Sequence, residues 1–164
     1  MTTAPAPRAG CPVQLTTFIG REREIAAVDD LLKSTRLVTL TGVGGAGKTR
    51  LAAEVAARVT LRFEASAWVD LASLSDPALV AELVAATLGY REEGGRSAVQ
   101  TMVHRLCECE TFLIFDNCEH LVDACAEVAE TLLKGCPSVR ILATSREALG
   151  VPGEQAWLVP PLSL

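Results

Sequence analysis

The stretch Gly42-Val43-Gly44-Gly45-Ala46-Gly47-Lys48-Thr49 fits the pattern G-x-x-x-x-G-K-[ST]. Glycines at these positions let backbone N–H groups turn inward around phosphate oxygens. A helix starting at the lysine adds unpaired N–H donors and a partial positive charge. Lys48 is expected to reach the β and γ phosphates of a bound nucleotide, and Thr49 to offer its hydroxyl to Mg²⁺. Gly42, Val43, Gly44, Gly45, Ala46, Gly47, Lys48, Thr49 and the following Arg50 are therefore the candidate cofactor-binding residues on this loop. The motif requires a strand before it and a helix after it.

A second run, Phe112-Leu113-Ile114-Phe115-Asp116, has four apolar residues that would bury a strand and an acid at its end. A carboxylate so placed beside a phosphate loop could hold Mg²⁺ through water, the Walker B role. Taken alone the run is a weak signal. Asn117 and Glu119 follow, and Glu119 could orient or deprotonate an attacking water, or simply lie solvated at a helix start. Arg146, in Thr144-Ser145-Arg146, falls after another strand-like run, where α/β sheets collect ligand-binding groups, and could sense a γ-phosphate. The candidate catalytic residues are Lys48, Asp116, Glu119 and Arg146, and the candidate metal ligands are Thr49 and Asp116.

The elements that must position these residues follow from periodicity. Residues 1–14 carry Pro5, Pro7 and Pro12 and offer no periodic face, which predicts a loose arm. Ile25, Val28, Leu31 and Leu32 recur at helical spacing from Arg21 to Lys33, opposite Glu22, Arg23, Asp29 and Asp30. Arg36–Thr41 reads as a strand, and Leu51, Ala52, Val55, Ala56 and Val59 mark a helix after the glycine loop. Ser66–Leu71 is a second strand. Asp76-Pro77 then caps a helix running to about Leu88, with Leu79, Val80, Leu83 and Val84 buried and Gly89 ending it. Ser97 caps a helix through Leu106, Thr111–Phe115 is a third strand, and Leu121, Cys125, Val128 and Leu132 trace the next helix, closed near Gly135. Val139–Ala143 and Gln155–Val159 complete five strands. Strands alternating with helices predict an α/β fold with a mainly parallel sheet and helices on both faces. The glycine loop resembles that of P-loop NTPases, a likeness that implies a three-layer architecture with five strands in the order 5-1-4-3-2. Trp68 and Trp157 lie in apolar strands and are expected to pack rather than bind.

At 164 residues, 49% of them hydrophobic, the chain can bury one real core. A net charge of −5 argues against direct DNA contact from this surface, because phosphate neutralisation needs clustered Lys and Arg. No apolar run reaches membrane-spanning length and Met1–Gly10 has no signal-peptide core, so no membrane partner and a cytoplasmic location are expected. The six cysteines, Cys11, Cys107, Cys109, Cys118, Cys125 and Cys136, are expected to be reduced. Their spacing and that of His104 and His120 fit no zinc motif, and Cys125 falls on the apolar stripe of its helix.

Four segments together are similar to one family: F-I-G-R-E-R-E at Phe18–Glu24, L-T-G-V-G-G-A-G-K-T-R-L at Leu40–Leu51, F-D-N-C-E-H-L at Phe115–Leu121 and A-T-S-R-E at Ala143–Glu147. Together with the trailing L-G-V-P-G-E and W-L-V-P-P-L-S-L, they make the chain resemble STAND-class signalling ATPases. Within that class the likeness is to the NB-ARC (AP-ATPase) domains of LuxR-type and antibiotic-regulatory (AfsR-like) bacterial transcriptional regulators. It spans residues 15–164. The resemblance implies that Ile19, Gly20 and Arg21, with Glu22 and Glu24, help hold adenine, that Asp116 is the Walker B acid, and that Arg146 is a sensor arginine. It implies ATP/ADP and Mg²⁺ as ligands, and further domains or subunits of a regulator as partners. An oligomer in the ATP state stays open. Many relatives carry a second acid where this chain has Asn117, so water activation is expected to be poor. Lid, winged-helix and effector parts are not expected within residues 15–164. The expected function is an ATP/ADP-binding switch with slow Mg²⁺-dependent hydrolysis. The alternatives are a non-hydrolysing ADP-binding module or a truncated fragment of such a regulator.

Overall fold

The computed structural model describes residues 8–9, 21–44, 47–91 and 93–161. Six parallel strands form one sheet: β1 (Arg8–Ala9), β2 (Leu37–Thr41), β3 (Ala65–Asp70), β4 (Thr111–Asp116), β5 (Val139–Thr144) and β6 (Gln155–Leu158). The order is β1-β3-β4-β5-β2-β6. Without β1 it is the expected five-stranded order 5-1-4-3-2. Five helices connect the strands: α1 (Glu22–Ser34), α2 (Lys48–Val59), α3 (Val80–Thr87), α4 (Ala98–Leu106) and α5 (Val122–Gly135).

The central strands are apolar along their whole length because both faces are covered. Side chains alternate along β4, so Phe112 and Ile114 pack under α1 and α2, whereas Leu113 and Phe115 pack with α3, α4 and α5. All four are essentially inaccessible to water. Cys125 fills the second of these cores, as expected, and the described cysteines are all free. Burial pushes the Cys136 thiol up to about 11, so it stays protonated and unreactive. Trp68 is buried, and Trp157 packs on the α1/α2 core.

Local signals place the helix ends. Ser97 and Gln100 form a reciprocal capping box at α4, and Asp76 accepts from the Ala78 N–H. Gly89, at φ 83°, terminates α3 as expected.

Three particulars depart from the sequence reading. Arg8–Ala9, expected in a loose arm, pairs in parallel with Ser66 and Ala67. The outer edge of β3 offers unpaired main-chain groups that a short extended segment can fill without any apolar pattern. The rest of the arm lies outside the described residues. The first turn after Asp76 is a 3₁₀ turn, Pro77–Leu79, which rotates Leu79 out to 40% exposure. Val80, Val84, Ala85 and Leu88 form the buried face instead, with Leu83 half-buried. Asp29, expected on the solvated face of α1, is buried because it pairs with Arg62. Among the described residues, no helix is long and apolar enough to cross a membrane.

Glu154 locks the edge of the sheet. Its carboxylate accepts from the Leu149 and Gly150 N–H groups at 2.8 and 2.9 Å and from the hydroxyl of the wholly buried Thr39 at 2.5 Å. Glu154→Ala strands that hydroxyl and both loop donors. The expected loss is about 1–3 kcal/mol of unfolding free energy, read as a lower urea midpoint with an unchanged slope.

Candidate functional site

The glycine loop leaves the carboxyl end of β2 and opens α2, the strand–loop–helix context its motif requires. Gly47 caps α2 at φ 84°, in the left-handed region where a Cβ is strained. The Lys48 side chain turns back over the loop, and its Nζ donates to the carbonyls of Gly42 at 2.9 Å and Val43 at 3.1 Å. Gly45 and Ala46, like Ile19 and Gly20 upstream, lie outside the described residues.

Neighbouring strand ends are stitched by main-chain bonds: Leu71 N–H to Asp116 O, Cys118 N–H to Thr144 O, and Ser145 N–H to Leu40 O. This brings residues far apart in the chain into one polar cluster. Asp116, only 2% exposed, is its centre. The Thr49 hydroxyl donates to Asp116 Oδ1 at 2.9 Å and lies 3.2 Å from Oδ2. The Thr144 hydroxyl donates to Oδ1 at 2.5 Å, and the Asn117 side-chain amide donates to Oδ2 at 3.2 Å. Burial raises the Asp116 pKa above its ordinary 3.8. The two threonine hydroxyls oppose that shift, and the nearby charges of Asp70 and Glu119 add to it. The paired Thr49 hydroxyl and Asp116 carboxylate form an oxygen-only donor set, which suits Mg²⁺ rather than a softer metal.

Arg146 is exposed, and its Nη2 lies 3.6 Å from where a Cβ on Gly44 would sit, so the guanidinium reaches the glycine loop. Arg21 is buried, donates to the Pro160 carbonyl at 3.1 Å, and lies 3.7 Å from a Cβ position on Gly47. Arg50 sits half-buried on the first turn of α2. Glu119 is not drawn into the cluster by any hydrogen bond among the described residues. It lines a separate cavity of about 600 Å³ with Ser75, His120, Asp123 and Glu147. In the same turn after β4, the His120 ring binds the Leu74 carbonyl at 2.7 Å. Sequence reasoning passed over Thr144, Asp70 and the side-chain role of Asn117. The only signal for them is that each stands at a strand end or just beyond it.

A parallel sheet with the glycine loop after β2 and an acid at the end of β4 defines a P-loop NTPase fold. The AAA ATPase domain model matches residues 17–143, and the chain belongs to that family. An uncharacterized protein of Mycobacterium tuberculosis (strain ATCC 25618 / H37Rv) is 44% identical over 151 residues, 92% of this chain and 38% of that protein. A second protein of the same strain, named "Putative HTH-type transcriptional regulator", is 43% identical over 134 residues, 82% of this chain and 15% of that protein. The chain thus spans well under half the length of these relatives. The crystal structure of Cdc6p from Pyrobaculum aerophilum superposes with a TM-score of 0.66 at 16% identity, over 94% of this chain and 48% of that one. That likeness concerns the fold alone.

The raised Asp116 pKa fixes the sign of a pH effect. The folded chain keeps the Asp116 proton to higher pH than the unfolded chain. The stabilisation this confers is present at low pH and is lost as pH rises from the ordinary value near 3.8 through the raised one. Asp116→Asn removes that dependence. Urea unfolding of both chains across this window should show the parent losing stability relative to the variant as pH rises; parallel curves would count against the shift.

Proposed function

We propose that this chain is an ATP/ADP-binding switch module, the nucleotide-binding core of a transcriptional regulator of the STAND/NB-ARC kind, with slow Mg²⁺-dependent hydrolysis. The observation that carries this is the hydrogen bond between Thr49 and Asp116, 67 residues apart in the chain. It pairs the hydroxyl of the glycine-loop helix with the acid at the end of β4, the two groups that would hold Mg²⁺ against a nucleotide. Lys48 would exchange the Gly42 and Val43 carbonyls for phosphate oxygens, and Arg146 would meet the γ-phosphate from across the loop. Arg21, beside Gly47, would support the nucleotide from the other side. Glu119 makes no hydrogen bond to this cluster among the described residues, and its charge adds to the raised pKa of Asp116.

The regulator context draws on the HTH-type relative and on the motif resemblance. Further domains or subunits would be the partners, and nucleotide exchange would shift the equilibrium between their arrangements. Slow turnover follows from Asn117, an amide where an acid would activate water. In other P-loop enzymes an arginine supplied from outside the core adds about 10³–10⁵ in rate. The same Asn117 also favours a second reading, a non-hydrolysing ADP-binding module. Single-turnover hydrolysis of bound ATP separates the two.

Calorimetric titration with ATP, ADP and GTP, with and without Mg²⁺, tests the binding. ATP and ADP should bind, and Lys48→Ala should abolish ATP binding with the fold intact, because loop shape comes from glycine and charge from lysine. Asp116→Asn should lose the Mg²⁺-dependent part of the affinity and keep the rest. Equal ATP affinity in parent and Lys48→Ala would sink the assignment. Steady-state phosphate release should fall well below the ~1–100 s⁻¹ of kinases. A rate at or above ~1 s⁻¹, abolished by Lys48→Ala, would indicate a self-sufficient ATPase instead of a switch.

A further inference from the structure

We propose that Asp70, acting with Asn117, holds the attacking water for ATP hydrolysis. The inference rests on the proposed reading of the chain as a slow ATPase.

Asp70 ends β3, and the register of the sheet sets it directly beside Asp116. The two carboxylates are therefore neighbours across one strand pair, and the Asn117 amide joins them. Its Nδ2 lies 3.2 Å from Asp70 Oδ1 and 3.2 Å from Asp116 Oδ2. Asn117 achieves this at φ 64°, the only positive φ of a non-glycine residue among those described. Asn tolerates that left-handed conformation better than most residues, but it still carries a cost, and such outliers gather at functional sites. The Asn117 N–H is held in turn by the Thr144 hydroxyl at 2.9 Å.

The two acids differ in a way that divides the work. Asp116 is buried and fully engaged by hydroxyls and the amide. Asp70 is exposed, and only its Oδ1 is engaged, by Asn117 and by the Ala72 N–H at 3.0 Å. Oδ2 of Asp70 has no hydrogen-bond partner among the described residues and can accept one from water. A water held there attacks the γ-phosphorus. A new P–O bond forms, the bond from phosphorus to the β–γ bridging oxygen breaks, and its electron pair leaves with ADP. The water proton passes to Asp70 and then to the released phosphate or solvent, so that the products are ADP and inorganic phosphate. No oxidant or other co-reactant is required.

Asp70→Asn tests this cleanly. The amide oxygen can still accept from Ala72 and Asn117, and the exposed position carries no packing, so the melting temperature should not move. Single-turnover hydrolysis of γ-labelled ATP should slow by about tenfold or more, within the range a positioned base contributes. ATP affinity and its Mg²⁺ dependence should stay within about twofold of the parent, the pattern of an interaction made only in the transition state. Asp70→Glu should restore part of the rate, which a merely structural role would not predict. Asn117→Asp should raise turnover and make Asp70→Asn nearly silent in its background, because the second acid is then supplied directly. Asp70→Asn turning over at the parental rate with binding intact would overturn the assignment and leave the ATPase reading standing. A parent that binds ATP but shows no turnover above Lys48→Ala would overturn both.

Discussion

The arrangement depends on one buried carboxylate. Asp116 stands at the end of a central strand with almost no access to water, and an isolated charge there would be costly. Three donors from three different elements offset that cost: Thr49 from α2, Thr144 from β5, and Asn117 from the turn after β4. Satisfying one side chain therefore fixes the relative positions of the glycine-loop helix and two strand ends. Burial still outweighs these donors, so the Asp116 pKa lies above its ordinary value.

Lys48 has the complementary problem. The residue is 9% exposed, and its ammonium borrows the carbonyls of Gly42 and Val43. Under the proposed reading, a triphosphate exchanges those neutral acceptors for charged ones, and hydrogen bonds to ionised groups are roughly twice as strong as neutral ones. Binding then gains from the quality of the acceptors and not from their number.

Much of the fold was legible in the sequence because its signals are local. The glycine loop needs fixed residue types at fixed spacing, α4 announces itself by a Ser–Gln capping box, and the strands are short apolar runs between helical periods. The family resemblance supplied an expectation that spacing could not, a nucleotide-holding role for Ile19, Gly20 and Arg21 with Glu22 and Glu24. Features that depend on register were not legible. Asp70 meets Asp116 only because β3 and β4 align end to end, and Asp29 is buried only because Arg62 arrives from the turn after α2. Leu79 left the core because one turn was 3₁₀ and not α, a difference of a single hydrogen-bond register. Glu119 stands in the turn between β4 and α5, and its charge adds to the raised pKa of Asp116.

Binding and turnover are separable in this architecture because they rest on different parts of the sheet. The groups proposed to hold nucleotide lie at the end of β2 and the start of α2: Lys48, Thr49 and the loop glycines. The groups proposed to act on water lie two and three strands away, at the ends of β4 and β3. Asp116 belongs to both, since Thr49 reaches it from one side and Asn117 carries Asp70 to it from the other. Under the proposed reading, a change at 117 or 70 would alter how long ATP survives without altering whether it is bound. For a switch, the lifetime of the bound triphosphate sets the duration of one state. Under the proposed reading, an amide at 117 paired with an acid one strand further out would lengthen that lifetime without dismantling the phosphate loop.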